Sequence, residues 1–211
     1  MAAKRTIIFD LGKVIIPFDF ERGYRAIAAD CGLPPAEIRS RIAATGLVVQ
    51  LETGLIEPRD FVGEISRLID FPGTYADFCR HWSSIFLPET LIPEELILQL
   101  KGHYRLLVLS NTNAIHIDMV REHYGILRHF DHLVLSHEVK AMKPDPKIYA
   151  AALAHAQADP AECFFTDDIP EYVEGARRAG IDAEPFTGYA NLLEHLTARG
   201  VLPIPPSTRT R

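Results

Sequence analysis

The chain has 211 residues, 47% hydrophobic and 24% charged, enough for one large domain or for a core with a smaller lobe. Its formal net charge of −6 argues against a nucleic-acid partner or an anionic membrane surface, and no apolar run nears the length of a membrane span or of a signal segment. Cys31, Cys79 and Cys163 are sparse and form no C-x-x-C pair, which fits a reducing compartment better than a disulfide framework, so a cytoplasmic location is expected.

Thr6 to Phe9 read as a short strand covered on both faces, because four apolar or β-branched residues follow one another. Asp10 falls at its carboxyl end, with Gly12 to turn the backbone. In open α/β sheets ligands bind at such strand ends, although an aspartate there also serves to cap a turn or a helix. From about Phe18 to Phe86 the pattern turns helical. "FERGYRAIAADCG" stops on Gly32, "PPAEIRSRIAATG" starts on proline and closes on glycine, and "EPRDFVGEISRLI" and "TYADFCRHWSSIF" carry the same amphipathic spacing.

Beyond Leu91 helix and strand alternate. "PEELILQLKG" precedes the strand "YRLLVLS", a helix through "IHIDMVREHYG" leads to the strand "HLVLS", and "DPKIYAAALAHAQ" leads to the strand "ECFFTDD". The helix "PEYVEGARRAG", the weak strand "IDAEPF" and the helix "YANLLEHLTARG" complete the series. Such alternation implies βαβ units, hence an α/β fold with a Rossmann-like, mostly parallel sheet. A helical segment of this length between the first strand and the rest predicts an inserted all-helical cap at 18–88 on a core of 1–17 and 89–204. The proline-rich end, 205–211, is expected to be loosely held.

Four strand ends carry polar groups that would converge: Asp10, the pair Ser110 and Asn111 of "LLVLSNTN", Lys143 of "AMKPDP", and Asp167 and Asp168 of "CFFTDD". Taken singly, each has a plain structural reading as a cap, a turn cluster or a solvated lysine. Taken in order, "FDLGKV", "LLVLSNTN", "KPDPKIY" and "FFTDDIPEYVEGA" resemble the haloacid dehalogenase-like hydrolase superfamily over nearly the whole chain, most of all its sugar-phosphate phosphatase branch. The resemblance implies a hydrolase of a small phosphorylated metabolite. Asp10 would be the nucleophile that forms an aspartyl phosphate, with Lys143 beside it. Lys143 and the Ser110 hydroxyl, with the Asn111 N–H, would hold phosphoryl oxygens. Asp10, the Gly12 carbonyl and Asp168 would bind Mg²⁺, with Asp167 in direct or indirect contact with the metal. All are oxygen donors, which suits a hard cation. A monomer or weak homodimer is expected.

One position departs from the pattern. Many phosphatases of the superfamily have a second aspartate two residues after the nucleophile, which protonates the leaving oxygen and then activates water; here that residue is Gly12. A group of this kind contributes about 10²–10⁴-fold. Either another group or a water takes its place, or the substrate has an acidic leaving group, as a sugar 1-phosphate does. The same gap leaves open a metal-independent 2-haloacid dehalogenase, whose halide needs no proton, and a catalytically weak binding member of the superfamily. Trp82, Phe78 and Phe86 are expected to be packing residues at helical spacing and Asp19, Arg22 and Arg25 a solvated helix face, while His116 lies close to the second motif and a surface position at a helix start explains it equally well.

Overall fold

The first strand, β1 (Thr6–Phe9), is buried at every position and lies at the centre of the sheet. The computed structural model describes residues 2–203, so the segment 205–211 lies outside the described residues. Five helices follow β1: α1 (Phe20–Cys31), α2 (Pro35–Ala43), α3 (Leu47–Glu52), α4 (Pro58–Leu68) and α5 (Tyr75–Ser83). The alternating part then runs α6 (Glu94–Lys101), β2 (Arg105–Ser110), α7 (Ala114–His123), β3 (His132–Leu135), α8 (Ser136–Val139) and α9 (Pro146–Ala156). It closes with β4 (Cys163–Asp167), α10 (Pro170–Arg178), β5 (Asp182–Pro185) and α11 (Tyr189–Ala198). The sheet order is β3-β2-β1-β4-β5, and every pairing is parallel. Among the described residues no helix is long and apolar enough to cross a membrane.

Successive strand side chains face opposite sides, which divides the apolar residues of β1, β2 and β4 between two cores. Ile7, Phe9, Leu106, Val108 and Phe164 pack under α6, α7 and α11. Ile8, Leu107, Leu109 and Phe165 pack under α9 and α10. Strands buried on both faces have no polar alternation to show, which is why they read as continuous apolar runs.

The helices α1 to α5 gather round an apolar cluster of their own, with Ile27, Ile38, Phe61, Ile65, Phe78 and Trp82 at its centre. Local chemistry sets their ends. The Asp19 carboxylate accepts the Glu21 N–H at the start of α1, Thr74 and Asp77 form a reciprocal capping box on α5, and prolines open α2 and α4. Two short helices, α3 and α8, are additions to the predicted set.

The predicted helix through Phe86 ends instead at Ser83. The Ser84 hydroxyl donates back to the His81 carbonyl, and the chain then straightens beside the outgoing strand. Asp19 N–H donates to Ile85 O and Leu87 N–H to Pro17 O, each at 2.9 Å, and Phe18 and Phe86 form an isolated antiparallel bridge. The two crossings between the helical unit and the sheet therefore run side by side.

Candidate active site

The parallel register places the polar ends of three strands at one level. Phe9 is paired with Val108 of β2 and with Thr166 of β4, and Asp10 N–H donates to Thr166 O at 3.0 Å. Asp10, Ser110 and Asp167 therefore meet at the carboxyl edge of the sheet, where α/β folds bind ligands. Lys143 arrives from the loop before α9. Its Nζ donates to Asp10 Oδ1 at 2.6 Å, to Asp167 Oδ2 at 2.6 Å and to Leu109 O at 3.0 Å.

Asn111 sets the course of that lysine. Its Oδ1 accepts the Lys143 N–H at 2.7 Å, and its Nδ2 donates to Lys143 O at 3.1 Å and lies 3.3 Å from the Tyr172 hydroxyl. The amide side chain is thus spent on positioning Lys143. The Ser110 hydroxyl is buried and makes only a long 3.4 Å contact to Asn111 O.

Burial dominates the electrostatics. It pushes the Asp10 carboxyl up to about 7, against the lowering influence of Lys143 and with a further upward push from Asp167. Burial also works to lower the Lys143 ammonium, but Asp10 and Asp167 outweigh it and the net shift is upward. Asp168 is raised by partial burial and by the charge of Asp167, with Lys13 and Lys143 opposing.

Asp10, Asp167 and Asp168 each offer a carboxylate oxygen within 4.8 Å of the others. Three anionic oxygens so close repel one another unless a cation or protons intervene. The donor set fits a hard divalent ion. The two adjacent aspartates differ, however. Asp167 is fully buried and both its oxygens are engaged, Oδ2 by Lys143 and Oδ1 by the Ile169 N–H at 2.9 Å. Asp168 is half-buried and lines a cavity of about 100 Å³ together with Asp10, Gly12, Ser110, Asn111 and Lys143.

The room beside Gly12 is taken. A Cβ built there would lie 2.6 Å from Phe18 Cε1, so any side chain displaces that ring. Phe20 and Phe86 back it at 4.8 and 6.3 Å between ring centroids. The absence of an aspartate at this position is thus built into the packing around it.

The structure brings together all seven residues expected from the sequence: Asp10, Gly12, Ser110, Asn111, Lys143, Asp167 and Asp168. It corrects the expectation for His116, which is buried rather than at the surface. Asn113 caps α7 and contacts His116 Nδ1 at 3.1 Å, while Trp82 of the helical unit covers the ring with its carbonyl 3.2 Å from Nε2. Trp82 packs in the helical cluster, and Asp19, Arg22 and Arg25 are all on or beside the exposed start of α1. Lys13, Phe18, Tyr172 and Glu52 were missed. Only Lys13 carried a usable signal, its place in "DLGKV"; in the structure it holds a left-handed φ of 58° and lines the cavity beside Asp168.

A parallel doubly wound sheet with a carboxylate at the end of its central strand, a buried lysine and a following aspartate pair defines a hydrolase class. A model of the haloacid dehalogenase-like hydrolases matches residues 4–180, and the chain belongs to that family. It is 26% identical over 192 residues to a D-ribitol-5-phosphate phosphatase from Bacteroides thetaiotaomicron, covering 87% of this chain and 93% of the relative. It is 25% identical over 184 residues to a phosphorylated carbohydrates phosphatase from Thermotoga maritima, covering 83% of this chain and 82% of the relative. A crystal structure of a B. thetaiotaomicron enzyme of this family, in complex with magnesium and inorganic phosphate, superimposes with a TM-score of 0.79 at 27% identity. That match covers 90% of this chain and 99% of the other.

Proposed function

We propose that this protein is a magnesium-dependent phosphatase that hydrolyses a small phosphorylated metabolite through an aspartyl phosphate on Asp10. The observation that carries the reading is the clamp on Asp10. Lys143 pins one carboxylate oxygen at 2.6 Å while the same carboxylate lines a cavity shared with Ser110, Asn111 and Asp168. A carboxylate is a weak nucleophile, and holding it in line with phosphorus supplies the orientation that the reaction needs. The lysine neutralises charge as a dianionic phosphoryl group approaches, and Ser110 with the Asn111 N–H receives its oxygens.

Asp10, Asp168 and the Gly12 carbonyl would hold Mg²⁺, which when bound supplies positive charge to the phosphoryl oxygens. Asp167 acts one step back, by keeping Lys143 in place. The relatives that act on phosphorylated carbohydrates support a substrate of that size, sugar 1-phosphates included. The helical unit, 18–88, would cap the core, 1–17 and 89–204, and close over the leaving group.

The test is release of inorganic phosphate from a panel of phosphorylated metabolites and aryl phosphates, with Mg²⁺ and with EDTA, beside halide release from 2-chloropropionate. Mg²⁺-dependent phosphate release that Asp10→Asn abolishes, with the fold intact by circular dichroism, is the expected result. Halide release without metal would select the dehalogenase alternative. The cluster of Asp10, Asp167 and Asp168 argues against that outcome, since it would repel a carboxylate substrate.

A further inference from the structure

Three spaces lie end to end from the sheet edge into the helical unit. The cavity at Asp10 shares Gly12, Phe18, Ser110 and Asn111 with a narrow passage of about 50 Å³. The passage shares Phe20, Glu52, Ile85 and His116 with a chamber of about 370 Å³ walled mainly by apolar residues of α1, α2, α3 and α5. With the phosphoryl group of a phosphate monoester at Asp10 and its organic part in the chamber, the leaving oxygen falls in the passage between them. An alkoxide leaves poorly unless it is protonated as the P–O bond breaks. The residue opposite, Gly12, has no side chain to give.

Among the described residues two titratable side chains line the passage, His116 and Glu52. His116 is committed. Its Nδ1 is 3.1 Å from Asn113 Nδ2, its Nε2 is 3.2 Å from Trp82 O, and burial lowers it to about 4. Glu52 is different, for its carboxyl has no hydrogen bond or ion pair with any described residue. Its backbone is nevertheless fixed to the core. Ser136 Oγ lies 2.6 Å from Glu52 O and accepts the Thr112 N–H at 2.9 Å, which ties the end of α3 to the loop that follows Ser110. Its charge also reaches Tyr172, which lines the cavity at Asp10.

We propose that Glu52 is the general acid–base of this site, a role that rests on the phosphatase reading. In the first step Asp10 Oδ bonds to phosphorus, the bond to the leaving oxygen breaks, and the Glu52 proton passes to that oxygen to release an alcohol. In the second, water bonds to phosphorus, the Asp10–phosphorus bond breaks, and the water's proton returns to Glu52. Asp10 is left as carboxylate, Glu52 as acid, and inorganic phosphate departs. Of the two routes that Gly12 leaves open, this is the one in which another group takes its place.

The environment suits a residue that must both give and take a proton near neutrality. Burial alone pushes Glu52 up to about 7, so both forms are populated there. Asp60 of α4 is exposed to solvent, and the other charged groups on the elements packed against α3 are engaged elsewhere. Arg39 pairs with Glu21 and Arg41 with Glu37, Arg59 lies over the Tyr75 ring, His137 Nδ1 meets Thr112 O with Glu138 beside it, and Lys140 donates to Gly54 O. Tyr24 and His116 are the other titratable groups in the chamber wall.

The decisive experiment is single-turnover phosphoryl transfer with Mg²⁺ from glycerol phosphate and from p-nitrophenyl phosphate, in the wild type and in Glu52→Gln. The variant should lose about 10²–10⁴-fold on the alkyl ester and less than about tenfold on the aryl ester, whose leaving group needs no proton. It should also release a burst of p-nitrophenol and accumulate phosphoenzyme, because the second step has lost its base. Equal slowing of both esters, or no slowing of either, would overturn the assignment. Wild-type enzyme provides an independent reading: the ratio of its alkyl-ester to its aryl-ester rate should fall as pH rises through about 7, since ionisation of Asp10 affects both esters alike, and parallel profiles would also overturn the assignment. A wild type that releases phosphate from neither ester would overturn the phosphatase reading itself.

Discussion

Replacing Lys143 by methionine keeps most of the aliphatic stem and removes the charge, so it isolates what the ammonium does. In the wild type Nζ makes three hydrogen bonds, to Asp10 Oδ1 and Asp167 Oδ2 at 2.6 Å and to Leu109 O at 3.0 Å. Without it, a fully buried carboxylate and a second one beside it share a site with no counter-charge. Removing one side of a buried ion pair costs about 3–5 kcal/mol. At about 2–4 °C per kcal/mol for a chain of this size, the Tm should fall by about 6–20 °C at pH 8 without metal.

The pH dependence identifies the cause. Asp10 already titrates at about 7, above its unfolded value of 3.8. A carboxyl raised in the native state favours folding while it is protonated, and the advantage is lost as pH rises above the unfolded pKa. Loss of Lys143 removes the main downward influence on Asp10. The deficit relative to wild type should stay level up to about pH 7 and should grow above it toward pH 8, by up to about 1.4 kcal/mol per pH unit. Urea unfolding in EDTA at several pH values measures it. Added Mg²⁺ should restore more stability to the variant than to the wild type at pH 8. A deficit that stays constant with pH would refute the argument and point to lost packing against the Phe165 and Tyr172 rings, which flank Nζ at 5.6 and 5.1 Å.

Asp168→Asn should weaken Mg²⁺ binding by more than tenfold, about 1.4 kcal/mol, whereas Asp167→Asn should weaken it less and chiefly loosen Lys143; titration calorimetry on both variants separates the two roles. Gly12→Ala should destabilise by about 1–3 kcal/mol, because its Cβ meets the Phe18 ring at 2.6 Å, and Phe18→Ala should relieve that cost in a thermal-unfolding double-mutant cycle. Asn111→Ala should cost about 1–3 kcal/mol by leaving the Lys143 N–H without its acceptor, and should lower kcat more than it raises KM if Lys143 is displaced.

Local pattern and chain order determined a large part of this protein. Helical spacing and continuous apolar runs marked the helices and strands of the alternating half, and strand ends with polar residues marked Asp10, Ser110 and Asp167. These features are readable because each depends on residues adjacent in the chain and on the rule that parallel strands present their carboxyl ends together. What the helical unit contributes is of another kind. Glu52 is the last residue of a six-residue helix with no motif around it, and the contact that brings it to the core, Ser136 Oγ to Glu52 O, joins positions 84 residues apart. The burial of His116 under Trp82, the Phe18 ring over Gly12, and the division of labour between Asp167 and Asp168 likewise arise only when separate elements pack. An amphipathic pattern states that a helix has a buried face but not which neighbour covers it. That choice is made by the summed fit of distant side chains, so only the tertiary structure decided what stands over Asp10.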